Sequence, residues 1–133
     1  MSDWDLWFES VEFFVVSRGK ERQAFTPACN VYETPSHLVI QVALPGVRKQ
    51  DIRLVIQDDV LVIAGERREP TADPERRYHT LEFGYGPFER RVPLPGLLDY
   101  RRIESHLEDG ILTVRIAKRD RVVQEIQVQN HDE

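Results

Sequence analysis

One cysteine, Cys29, stands among 133 residues, so the chain can hold no internal disulfide and no thiolate zinc site. It lies in a strand-like run, where a small half-buried hydrophobe is the expected role. Positive charge is in short supply: 18 Lys and Arg face 23 Asp and Glu, for a net charge of −5. Such a chain builds no field for a phosphate backbone, and nucleic acid is excluded as a first expectation. Apolar runs are brief, and none approaches the ~18 residues of a membrane helix. Acids precede the short run Val11-Glu12-Phe13-Phe14-Val15-Val16, and no basic segment leads into it, so it is no secretion signal. A cytoplasmic protein without integral membrane association is expected. Catalytic patterns are equally sparse. His37, His79, His106 and His131 show no ligand spacing, and no serine sits in a G-x-S-x-G elbow. Gly84-Tyr85-Gly86-Pro87 leads into no helix and cradles no phosphate. Neither an enzyme nor a cofactor or metal is expected.

What is present is alternation. Leu38, Ile40, Val42 and Leu44 recur every second residue until Pro45-Gly46 breaks the run. Ile52, Leu54 and Ile56 repeat the pattern, Asp58-Asp59 reads as a turn, and Val60-Leu61-Val62-Ile63 forms a short apolar strand. Ile103, Ser105 and Leu107 alternate with Glu104, His106 and Glu108. Asp109-Gly110 then supplies the pair favoured in two-residue hairpins, since both positions tolerate positive φ. Leu112, Val114 and Ile116 return on one face. Short strands separated by turn signals predict an all-β sandwich. From Glu66 to Arg77 the chain is a mixed-charge connection with two prolines, expected to be solvated and mobile.

The ends differ from the middle. Residues 1–26 form an arm crowded with Trp4, Leu6, Trp7, Phe8, Val11, Phe13 and Phe14. Several of these follow helical spacing, although the β-branched end of the arm could equally extend as a strand. Core packing and a sticky interaction segment both remain open for it. Residues 27–118 are the strand-rich body, and residues 119–133 are a charged tail holding Ile126 and Val128. On an extended chain these two project to the same side. The pair can fill an apolar groove at a sheet edge while its backbone adds hydrogen bonds, or it can fold back onto its own domain.

Taken in order, five stretches resemble the α-crystallin domain of the small heat shock proteins, bacterial type, over about Phe25 to Lys118. They are Pro27–Thr34; Val42-Ala43-Leu44-Pro45-Gly46-Val47 with Asp51-Ile52; Leu61-Val62-Ile63-Ala64-Gly65-Glu66-Arg67; Gly86-Pro87-Phe88-Glu89-Arg90 with Leu94-Pro95; and Ile103 through Val114. Pro93, Ser105, Ile111 and Ala117 depart mildly from the family pattern. The resemblance implies an immunoglobulin-like sandwich of seven to nine strands in two sheets. It also implies an ATP-independent holdase, a homodimer assembling into larger homo-oligomers, non-native client proteins, and ATP-dependent chaperones that take over the clients. The loop Arg68–Tyr85 would carry a dimerising strand at Tyr78, His79, Thr80 and Leu81 that pairs with the neighbouring subunit's sheet. Ile126 and Val128 would be the family's tail motif, and Leu54, Ile56, Ser105 and Leu107 its acceptor groove. The aromatic arm would bind clients. A rival expectation is the related co-chaperone sandwich, an adaptor that docks on a folded partner.

Overall fold

The computed structural model describes residues 25–70, 73–120 and 124–130. Within them, seven strands form two antiparallel sheets. They are β1 (Cys29–Glu33), β2 (His37–Ala43), β3 (Ile52–Gln57), β4 (Val60–Arg67), β5 (Gly86–Pro93), β6 (Leu98–Glu108) and β7 (Ile111–Lys118). One sheet has the order β1-β2-β7-β6 and the other β3-β4-β5. A 3-10 turn at Lys49–Asp51 leads into β3.

Turn chemistry sets the register. Asp58 and Asp59 both adopt positive φ, 53° and 59°, and close the β3–β4 hairpin with Gln57 opposite Val60. Asp109 and Gly110, at 51° and 77°, do the same between Glu108 and Ile111. Both are primed turns, whose twist matches that of the strands they join. The β1–β2 corner is held by Thr34, whose N–H donates to the His37 carbonyl at 2.8 Å and whose hydroxyl accepts from the His37 N–H at 3.0 Å.

The core lies between the sheets. Leu38, Ile40 and Val42 of β2 and Leu112, Val114 and Ile116 of β7 meet Leu61, Ile63 and Phe88 from the facing sheet. β4 is central in its sheet, and Leu61, Val62, Ile63 and Ala64 are buried in succession rather than alternately. β6 runs the other way: it is an edge strand, and nearly all of it between its first residue and Leu107 is exposed. It begins at Leu98, earlier than alternation shows, because the pairing with β7 is irregular between Leu98 and Ile103. Ordered contact reaches back to Phe25, whose N–H donates to the Pro87 carbonyl and whose ring meets that of Phe88, centroids 5.4 Å apart.

One sequence expectation is corrected here. Glu66 and Arg67 do not belong to the solvated connection; they are the last residues of β4. Arg67 is 6% exposed, the one charged residue buried as a whole among the described residues. It shares its face of β4 with Leu61, Ile63 and Gly65, so the strand's own alternation turns it inward.

Candidate functional site

Where the two sheets meet at an open side, β3 and β6 bound a groove of about 690 Å³. Its apolar floor comes from Ile52, Leu54, Leu107 and Leu112, with Ser105 beside them. β3 supplies alternate residues to this side, and because β3 is an edge strand they stay only half buried. Lys49, Arg53 and His106 stand around the apolar floor, and the Arg53 guanidinium turns back to the carbonyls of Gln50 and Ile52. Leu54, Ser105 and Leu107 therefore lie together in one depression. Ile56 does not line it; two residues further along β3, it packs half-buried against the core cluster.

The tail pair is presented rather than packed. Ile126 is 82% exposed and Val128 97% exposed, within an irregular stretch from residue 124 to 130. Folding back onto the body of the same chain, one of the two readings of this tail, is not how these side chains are disposed. A pair of apolar knobs in water and an apolar trough thus occur on one chain.

Tyr78, His79, Thr80 and Leu81 form no strand in the single chain, and all four are exposed. The physical reason is simple: an extended segment becomes a strand only when another edge takes up its hydrogen bonds. Its flank is tied down, because Arg76 donates to Glu69 at 2.6 Å, and the Tyr78 hydroxyl donates to the same carboxylate. Among the open edges is β1, where Val31 and Tyr32 are exposed. The arm residues Trp4, Leu6, Trp7, Phe8, Val11, Phe13 and Phe14 lie outside the described residues.

Alternation along β4 could have revealed a feature that sequence reasoning missed. The Arg67 guanidinium donates through Nε to the Pro45 carbonyl at 2.9 Å and through Nη1 to the Gly84 carbonyl at 2.8 Å. It lies 4.3 Å from the Phe25 ring centroid and 5.8 Å from that of Phe83. Burial lowers its pKa from the ordinary arginine value, while Tyr85 opposes the shift. Three separate segments meet on this one side chain: the chain entering the body, the turn after β2 and the root of the long loop.

Among the described residues no cluster of three or more His, Cys, Asp or Glu is disposed to hold a metal, and no helix is long and apolar enough to cross a membrane. Ser36 Oγ lies 2.7 Å from His37 Nδ1, an exposed contact between sequence neighbours.

Comparison with known proteins gives a consistent result. Residues 30–129 match the Hsp20/alpha crystallin family. The chain is 35% identical over 122 residues to a 16.9 kDa class I heat shock protein of Triticum aestivum, covering 86% of this chain and 81% of that one. It is 29% identical over 113 residues to small heat shock protein C4 of Rickettsia felis, covering 85% and 69%. A small heat-shock protein of Xylella fastidiosa with a distinct high order structure superposes with a TM-score of 0.68 at 30% identity, over 80% of this chain and 98% of that one.

Proposed function

This chain belongs to the Hsp20/alpha crystallin family, and we propose that it works as an ATP-independent holdase that keeps unfolding proteins of the cytoplasm from aggregating. Membership implies a chaperone of the stress response; the holding mechanism is our own reading. The observation that carries it is that exposed Ile126 and Val128 and the apolar groove of Ile52, Leu54 and Leu107 occur on one chain. A chain that carries both halves of a joint assembles with copies of itself. Apolar burial contributes roughly 25 cal/mol per Å² and has no directional requirement. The same surfaces, once released, therefore hold a client without regard to its sequence.

In this reading dimers form first. The segment Tyr78–Leu81 of one subunit adds to an open sheet edge of its neighbour, and we assign it to β1, an edge strand with Val31 and Tyr32 exposed. Tails then join dimers through the β3–β6 groove. The aromatic arm supplies most of the client-binding surface, and clients pass to ATP-dependent chaperones afterwards.

Deleting residues 1–16 tests the assignment of the arm. The shortened protein is expected to keep its β-rich circular dichroism and to lose suppression of heat-induced client aggregation. Undiminished protection would remove the arm from the mechanism. A wild-type protein that runs as a monomer at every concentration and fails to protect any client would instead support the adaptor reading.

A further inference from the structure

Beside Arg67 lies a second groove, of about 760 Å³, between the turn after β2 and the root of the long loop. Pro45, Pro70, Phe83 and Tyr85 give it an apolar and aromatic lining. Phe83 is 63% exposed, and its ring lies 5.6 Å from that of Tyr85. Arg67 contributes one part of its guanidinium. Nε and Nη1 are engaged by carbonyls, whereas Nη2 makes no hydrogen bond among the described residues. No buried side-chain nitrogen or oxygen among these residues lacks a partner, so Nη2 is the part that opens on the groove.

The charges around it are already committed. Asp51 accepts from Arg48 at 3.2 Å and is ion-paired with Arg68 at 3.1 Å, and Glu69 accepts from Arg76 and Tyr78. Among the described residues no carboxylate pairs with Arg67. A guanidinium with a spare N–H pair, partly desolvated and faced by aromatic rings, binds a carboxylate more strongly than an exposed cation does. The groove is thus built for an aromatic segment carrying acids.

We infer that this groove holds the chain's own N-terminal arm, with an acid among Asp3, Asp5 and Glu9 on Arg67 and an indole among the rings. Two observations select this occupant. The chain enters the described body at Phe25, and the Phe25 ring covers Arg67 at the groove itself. The first sixteen residues contain Asp3, Asp5, Glu9 and Glu12 and no Lys or Arg, interleaved with Trp4, Trp7 and Phe8. The eighteen-residue span from Trp7 to Phe25 would reach about 60 Å if extended, far more than the return requires. A tether of that kind provides an effective concentration on the order of millimolar. The consequence rests on the holdase reading: a docked arm is a masked arm, so the client-binding surface is held in reserve on its own subunit.

Trp4 and Trp7 are the only tryptophans, so indole fluorescence reports the arm directly. The full chain with Asp3→Asn, Asp5→Asn and Glu9→Gln leaves the sandwich untouched. Loss of one charge-assisted hydrogen bond is expected to weaken docking by about tenfold or more. That should appear as red-shifted emission and greater acrylamide quenching. Phe83→Ala, altering an exposed loop ring, should act in the same direction, and the two changes combined should be less than additive. Quenching that stays at the wild-type level in both variants overturns the inference. A disulfide test separates own-chain docking from a second copy: on a Cys29→Ser background, Trp7→Cys with Pro70→Cys should cross-link within one chain. Links only between chains of a light and heavy isotope mixture would overturn the own-chain assignment. If the arm is released but client protection does not rise, the docking stands and the arm's role as client binder falls.

Discussion

At Gly65 the backbone of β4 passes so close to the Lys49–Asp51 turn that a Cβ would stand 1.9 Å from the Asp51 carbonyl oxygen and 2.9 Å from Phe88 Cζ. Neither neighbour gives way easily, since one is backbone and the other belongs to a fully buried ring. Gly65→Ala is therefore expected to cost about 3 kcal/mol, read as a lower denaturation midpoint at unchanged slope. Gly96 provides the control: a Cβ there meets nothing within 4 Å, and Gly96→Ala should stay within about 0.5 kcal/mol of wild type. A second residue-scale expectation concerns acid. The backbone N–H of Arg101, its guanidinium and that of Arg102 hold the Asp99 carboxyl down at about 2. A carboxyl whose folded value lies below its unfolded value of about 3.9 stabilises the fold above that pH and loses the effect as pH falls toward 2. Asp99→Asn should thus lower the melting temperature slightly at pH 5 and flatten its decline between pH 4 and 2. Parallel wild-type and variant curves through that window would show that these exposed contacts contribute nothing to stability.

For single elements, the apolar trough and the tail can be separated by mutation. Ile126→Ala with Val128→Ala removes the knobs, and Leu107→Asp places a charge in the trough; neither touches a fully buried side chain. Each is expected to shift the population from large assemblies to dimers in sizing with light scattering, while circular dichroism stays unchanged. A tail peptide of residues 122–130 should bind the wild-type body and fail to bind the Leu107→Asp body. Assemblies of unaltered mass in both variants would mean that other contacts build the oligomer. These elements also show what could be read before the structure. Both hairpin turns were legible because Asp58-Asp59 and Asp109-Gly110 carry local backbone preferences that no tertiary contact has to supply. Strands β2, β4 and β7 were legible from their apolar patterns. The start of β6 was not, because Asp99 to Arg102 form the irregular stretch opposite β7 and carry no alternation. Arg67 was misplaced because its charge was weighed above its position on the inward face of β4. For the groove, the sequence brought Leu54, Ser105 and Leu107 together through family likeness, not through spacing. The segment Tyr78–Leu81 shows no strand in the single chain, and the edge proposed to pair with it lies on another molecule.

In the molecule as a whole, the described residues leave sheet edges open at β1, β6 and β3, while Phe25 bridges to β5 at Phe88. Open edges invite pairing, and in the proposed assembly the loop adds to β1 and the tail to the side between β3 and β6. Each such contact is small. Assembly strength then comes from several weak joints acting together, and joints of that kind separate steeply when diluted or heated. The body is held differently, by an interior that includes Ile40, Ile63, Phe88 and Val114 with no exposed surface at all. Two distinct temperatures should therefore appear on heating: a lower one where mass falls toward the dimer, and a higher one where the β signal is lost. Client protection should rise at the first, in step with the dimer fraction seen by light scattering, and vanish only after the second. If protection rises while the mass stays constant, the binding surface is uncovered within the intact assembly, and release of the arm from its groove becomes the controlling step instead of disassembly.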